Sequence, residues 1–200
     1  MDFITQLGIR TEHKEDAARL YAIAFQTKFL KILGSPEEVT QLLKDGINIQ
    51  RGISAISADN ELLGISGFQL DNTSLTDIKF RTFVSKYGII KGTLKYVVLA
   101  AIFYRKPDKK SQLLMDGIAV KEGNRGRGIG KQLFIELEKF SIQSKMTSIK
   151  LDVIDENPKA KKLYESIGFV PTKYSRTPKF IHKLIGVGGV TTMVKKLKKE

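Results

Sequence analysis

The chain has 200 residues, 42% of them hydrophobic, enough for one domain with a real core. It contains no cysteine, which excludes disulfides and a thiolate nucleophile and fits a reducing cytoplasm. Thirty-four basic residues against 21 acidic ones leave a net charge of +13, a balance that attracts nucleotide cofactors, nucleic acid or acidic lipid. The start, MDFITQLGIR, lacks a basic segment leading into an apolar one, so no signal peptide is expected. Tyr96 to Tyr104 is the longest apolar run, far short of the ~20 residues a membrane-spanning helix needs. The two histidines, His13 and His182, form no ligand pattern; both are expected at the surface, and no metal is expected.

Phe3 to Ile9 reads as a first strand. Thr11 is expected to cap a helix with Glu12 and Glu15 in its first turn and an apolar stripe of Ala17, Leu20, Tyr21, Ala24 and Phe25. Ser35-Pro36-Glu37-Glu38 has the pattern of a capping box with proline at the first helical position, predicting a second helix over Pro36 to Leu43. Ile49 to Ser57 and Leu62 to Leu70 flank Asp59-Asn60 as a hairpin, and Gly64 and Gly67 mark a bulge or a close backbone approach.

Residues 71–110 read as a helical insertion. Ile78, Phe80, Phe83, Val84 and Tyr87 form one stripe, and Ile90, Leu94, Val97, Ala101 and Ile102 form another, with breaks near Gly88 and Gly92. From Lys86 to Lys110 there are seven basic residues and one acid, Asp108. Two readings stand: an apolar packing face beneath a solvated basic one, or a lid or anionic-surface contact.

Leu113 to Val120 is apolar apart from Asp116 and Gly117, as in a buried strand, and a polar turn follows at Lys121 to Asn124. Ile129, Leu133, Leu137 and Phe140 then mark a helix. Between them, Arg125-Gly126-Arg127-Gly128-Ile129-Gly130-Lys131 places glycines at a helix start. Unpaired N–H groups, the helix dipole and three cations favour a pyrophosphate there. A Walker loop fails because Gln132 follows Lys131 and Arg125 occupies the first glycine position. A Rossmann fingerprint fails because its third glycine would fall on Lys131 or Leu133.

Ser148 to Ile154 alternates like a strand. Asn157 and Pro158 are an N-cap and first helical residue, Ala160, Leu163, Tyr164 and Ile167 mark the helix, and Gly168 ends it. Phe169 to Tyr174 and Val190 to Leu197 are the last two strands, joined by a long basic, glycine-containing loop. Lys173 to Glu200 holds eight basic residues and one acid.

The R-x-x-G-x-G turn after a strand, followed by LDVIDENPKAKKLYESIGF, resembles the two signatures of the GNAT N-acetyltransferase superfamily over roughly Leu113 to Val170. The resemblance implies an α/β (α+β) GNAT fold in a single domain: a mixed central sheet of about six to seven strands, flanking helices, and here a helical insertion at 71–110 before the cofactor-binding strand. It implies transfer of an acetyl group from acetyl-CoA to a primary amine by direct attack. The first helix pair is expected to wall the acceptor side. Splaying of the central strand from the next is expected to open a slot for the pantetheine arm, with a backbone N–H facing the thioester carbonyl.

By this resemblance the cofactor-binding residues are Ile118, Ala119, Val120, Arg125, Gly126, Arg127, Gly128, Ile129, Gly130 and Lys131. Asn157 joins them, although its capping role alone explains it. Tyr164 matches the family tyrosine that protonates the leaving thiolate, against a purely packing role. Asp116 is the candidate base, placed by its spacing on the same strand face as Ile118; its alternatives are a structural hydrogen bond, an orientation towards the insertion, or a water chain in its place. The expected partners are acetyl-CoA and a small-molecule or peptide amine, with neither nucleic acid nor a membrane span; a homodimer is left open. A non-catalytic acyl-CoA sensor and, behind it, a basic nucleic-acid-binding protein are the competing readings, the second lacking any helix-turn-helix, RNA-recognition or zinc signature.

Overall fold

The computed structural model describes residues 2–24, 34–103, 105–179, 182–183 and 186–198. In chain order these form β1 (Phe3–Leu7), α1 (Lys14–Ala24), α2 (Pro36–Gly46), β2 (Gly52–Ser57), β3 (Leu62–Leu70), a two-residue β4 (Thr73–Ser74), α3 (Phe80–Tyr87) and α4 (Ile89–Phe103). There follow β5 (Gln112–Val120), α5 (Ile129–Gln143), β6 (Ser148–Ile154), α6 (Pro158–Ser166), β7 (Val170–Arg176) and β8 (Gly189–Lys196). The sheet runs β1-β2-β3-β5-β6-β8-β7, with β4 paired to β3. Its pairs are antiparallel except β5 with β6, which α5 connects as a parallel crossover. The mixed sheet and the helical insertion stand as expected, with one more short strand.

Each face of the sheet carries its own core. On one, α1 and α2 bury Ala17, Ala18, Tyr21, Val39, Leu42 and Leu43 against Leu62, Ile65 and Ala119. On the other, α5 buries Ile129, Leu133, Phe134 and Leu137 against Leu63, Leu113, Met115, Ile149 and Leu151. The hairpin of β2 and β3 explains its glycines by close approach. A Cβ on Gly64 would lie 3.0 Å from the Ala119 carbonyl and 3.1 Å from Leu133, and one on Gly67 would lie 2.6 Å from Leu75.

The capping box at α2 forms in both directions: Glu38 N–H donates to Ser35 Oγ at 3.3 Å, and Ser35 N–H donates to Glu38 Oε2 at 3.1 Å. Three expectations are corrected. Thr11 is not a cap; Thr11–His13 is a 3-10 turn that leads into α1 from Arg10. His13 is buried rather than exposed, because that turn tucks its ring beside Asn60 of the β2–β3 turn. The stripe Ile90, Leu94 and Val97 does not face the fold. α4 packs on α3 through Tyr96, whose ring meets Phe80 and Phe83, and through Gly92, where a Cβ would lie 2.5 Å from the Phe83 carbonyl oxygen. Phe25 and the side chains of Ala101 and Ile102 lie outside the described residues.

Phe134 is fully buried, edge-on to Phe169 at 5.3 Å and covered by Lys195 Nζ at 4.7 Å from the ring centre. Truncation to alanine leaves a cavity that α5 and β8 cannot close. Phe134→Ala is expected to lower the unfolding free energy by about 3–5 kcal/mol in urea titration; a loss under about 1 kcal/mol would show that this face of the core is not packed as described.

Candidate active site

The site begins where a pairing ends. β5 and β6 share only the register Gln112↔Ser148, Leu113↔Ile149 and Leu114↔Lys150, although both strands continue, to Val120 and Ile154. Beyond Leu114 they diverge. The gap holds a cavity of about 130 Å³ lined by Asp116, Gly117, Asp152, Asn157, Ala160 and Tyr164, among others. The splayed slot expected from the resemblance is present.

Tyr164 reaches this slot from α6. Asn157 caps the helix, its Oδ1 accepting the Ala160 N–H at 3.1 Å, and Pro158 follows at the first helical position. Leu163 and Ile167 are half-buried, so the face turned most deeply into the protein is that of Tyr164 rather than theirs. Burial pushes the phenol up to about 12, while the Ile118 backbone N–H at its oxygen and the charge of Arg105 pull the other way. At neutral pH it is a protonated phenol beside the exposed edge of β5.

Asp116 lines the same cavity, but not from the expected face. Gly67 pairs with Gly117 and Phe68 with Met115, so Asp116 is the extra residue of a β-bulge and Gly117 takes φ 140°. The inserted residue breaks the period of two. Met115 and Ile118 pack towards α5, whereas the Asp116 carboxylate turns towards Leu75 and close to Tyr21 on the α1 side. Burial first, and the Asp116 charge second, push the Tyr21 phenol well above its usual value.

Asp116 is ion-paired with Arg105, which also donates from Nη1 to the Met115 carbonyl at 3.0 Å. Sequence reading counted Arg105 only among the cations of the insertion. The signal that could have found it was the acid itself, since a carboxylate within an apolar strand needs a nearby cation.

The glycine turn lies at the other end of β5. Gly126 and Gly128 both take φ 80°, and a Cβ at either would meet nothing within 4 Å. Gly128 is the N-cap of α5 and brings no side-chain cap to its N–H groups. Arg125 donates to the Val120 carbonyl at 3.4 Å and Arg127 to Asn124 Oδ1 at 2.8 Å, and both remain exposed, as does Lys131. Left-handed glycines, open space and uncapped N–H groups beside three cations fit a pyrophosphate. Ile118, Ala119 and Val120 connect this turn to the slot along β5, and Asn157 stands at the slot's opposite wall.

A larger cavity, about 480 Å³, opens next to the slot and shares Asp152 with it. Arg105, Lys106, Lys150 and Lys173 line it against Asp108 and Asp152. Lys150 is bridged to Asp108 at 2.7 Å, and Asp152 accepts from Thr192 at 2.7 Å. Among the described residues no cluster of His, Asp and Glu could hold a metal ion, and no helix is long and apolar enough to cross a membrane.

Solved structures share the fold. A GCN5-related N-acetyltransferase from Kribbella flavida superposes with a TM-score of 0.65 at 16% identity, over 98% of both chains. A structure described as an acetyltransferase gives 0.62 at 20% identity, over 98% of this chain and 100% of that one. Ard1 from Thermoplasma volcanium gives 0.61 at 14% identity over the whole of both. Identities this low speak for the fold alone. No curated protein sequence matches the chain. The family model for GNAT acetyltransferases, however, matches residues 52–169, which contain the slot, the glycine turn and Tyr164, and the chain therefore belongs to the acetyltransferase (GNAT) family.

Proposed function

We propose that the protein is a cytoplasmic N-acetyltransferase that moves the acetyl group of acetyl-CoA to a primary amine by direct attack. The observation that carries this reading is the slot opened where β5 parts from β6, with Tyr164 in its lining and the glycine turn at the end of the same strand. Acetyl-CoA would supply an activated acetyl thioester. Gly126, Gly128 and the N–H groups of Ile129, Gly130 and Lys131 would hold its pyrophosphate, with Arg125, Arg127 and Lys131 adding charge. The edge of β5 from Ile118 to Val120 would align the arm, and Asn157 would bound it.

Two protons then need handling. Tyr164 holds one at its phenol oxygen, which burial keeps protonated at neutral pH, and would give it to the thiolate as that departs. Asp116 attracts the protonated amine and takes its proton directly or through water in the small cavity. Arg105 fixes the orientation of its carboxylate. With Arg105 paired to Asp116 and Lys150 to Asp108, the charges of Lys106 and Lys173 still outnumber that of Asp152, so the larger cavity favours an acceptor that bears an anionic group besides its amine. A non-catalytic acyl-CoA sensor would need the cradle but not a protonated phenol in the slot.

Acetyl-CoA at about a hundred times its dissociation constant should add ~2.7 kcal/mol of stability, roughly a 5–10 °C rise in melting temperature. ATP and NAD should do much less. Gly128→Val should abolish this shift and the calorimetric heat of acetyl-CoA. It should also cost about 1–2 kcal/mol of stability by itself, since valine is strained at positive φ. An equal shift from ATP, or micromolar acetyl-CoA binding retained by the variant, would refute the cradle.

Tyr164→Phe should lower turnover by about 10²–10⁴-fold with acetyl-CoA affinity nearly unchanged. A second readout follows from the raised phenol. The unfolded-state phenol ionises near pH 10, and the folded one only near about 12. Its contribution to stability is therefore complete below pH 10 and lost as pH climbs from there through 12. The phenylalanine variant should lose less stability across that window than the wild type. A turnover change under about threefold would leave Tyr164 a packing residue.

In a release assay for free thiol, amines carrying a carboxylate or phosphate should have higher kcat/KM than polyamines of similar size. Lys173→Glu should narrow that gap by raising KM for the acidic acceptors. A preference for polyamines would overturn the acceptor reading and leave the acetyl-transfer reading intact.

A further inference from the structure

The α3–α4 insertion presents a surface that acetyl transfer does not use. α4 is apolar on both sides. Its inner side packs through Gly92, Tyr96 and the buried Leu99. Its outer side carries Ile90, Leu94 and Val97 at steps of four and three, one helical stripe, and these are 85%, 65% and 56% exposed, with Ile89 at 73%. A contiguous exposed stripe of large apolar residues marks an interaction surface in a globular protein, so this stripe lacks a cover.

The charges around it indicate the chemistry of the cover. From Lys79 to Lys106 there are seven basic residues and no acidic one. Lys79, Arg81, Lys86 and Lys91 are exposed. Lys91 flanks the stripe on α4, and Lys86 lies just before its first turn. A second copy would bring two such segments of like charge together, which opposes pairing. At 15 residues α4 is about 22 Å long, too short to cross a bilayer core of about 30 Å but long enough to lie along its surface.

We propose that α4 docks on an anionic lipid bilayer, with Ile89, Ile90, Leu94 and Val97 at the acyl boundary and the neighbouring lysines among the headgroups. Apolar stripe, cationic flank and interfacial length are the features of a helix that lies in the membrane plane. The inference does not depend on the acetyl-transfer reading, because lipid binding is measured without substrates.

The test is cosedimentation of the full chain with vesicles of phosphatidylcholine alone and of equal parts phosphatidylcholine and phosphatidylglycerol. Each cation near the surface contributes about fivefold, so the anionic vesicles should be preferred by more than about tenfold, and salt should erode the preference. The double variant Ile90→Glu and Leu94→Glu should lose vesicle binding while keeping its acetyl-CoA binding and melting temperature. The variant Lys86→Glu and Lys91→Glu should lose the preference for anionic lipid. Failure of the wild type to sediment with anionic vesicles at low ionic strength would overturn the proposal. So would undiminished binding by the Ile90 and Leu94 variant, or a wild-type dimer that ignores vesicles and becomes a monomer in that variant.

Discussion

The site depends on one break in a hydrogen-bond ladder. A strand in the middle of a sheet should be paired along both edges, because buried N–H and C=O groups left without partners are costly. β5 stays paired with β3 from Leu114 to Val120, apart from the bulge at Asp116, but parts from β6 after Leu114. Side chains attend to the backbone beyond that point. Arg105 donates to the Met115 carbonyl, and the Tyr164 oxygen faces the Ile118 N–H. One of these side chains is a cation paired with a carboxylate and the other a buried phenol.

The break has to be held open on both faces of the sheet. On one, α5 fills the space above β5 with Ile129, Leu133 and Phe134, and α6 places Tyr164 beside Phe169 at 5.8 Å. On the other, α1 brings Tyr21 close to Asp116. The Arg105–Asp116 pair crosses this region with little exposure, its side chains 21% and 6% accessible. Removing charges from water is costly, and a half-buried pair gives little net stability. Its position next to the cavity fits a role in the site better than a role in folding.

Arg105 also ties the insertion to the site, since it follows α4 by only two residues. The α3–α4 hairpin is thus anchored at its end beside the slot, while the outer side of α4 faces away from the fold with its apolar residues uncovered. An element placed this way can sense a surface without altering the core on which the slot is built. The glycine turn and the outer stripe both lie among the chain's excess of positive charge, at different places in the chain.

What the sequence determined by itself was local. Ser35 with Glu38, Asn157 with Pro158, and the glycines before Ile129 each set a chain direction within a few residues, by capping and by left-handed backbone, and each stands where the chain placed it. Those same short-range constraints put the glycine turn at the start of α5 and Tyr164 about two turns into α6. Tertiary structure decided whatever required knowing what lies opposite. One inserted residue at Asp116 reverses the face that a period of two assigns, and no pattern along the strand reveals that. His13 is buried by a turn 47 residues away. The side of α4 that packs depends on Gly92 meeting Phe83, so an apolar stripe alone could not tell inside from outside. Burial and partnership are properties of what the chain returns to, and the sequence records only the residues that are able to accept them.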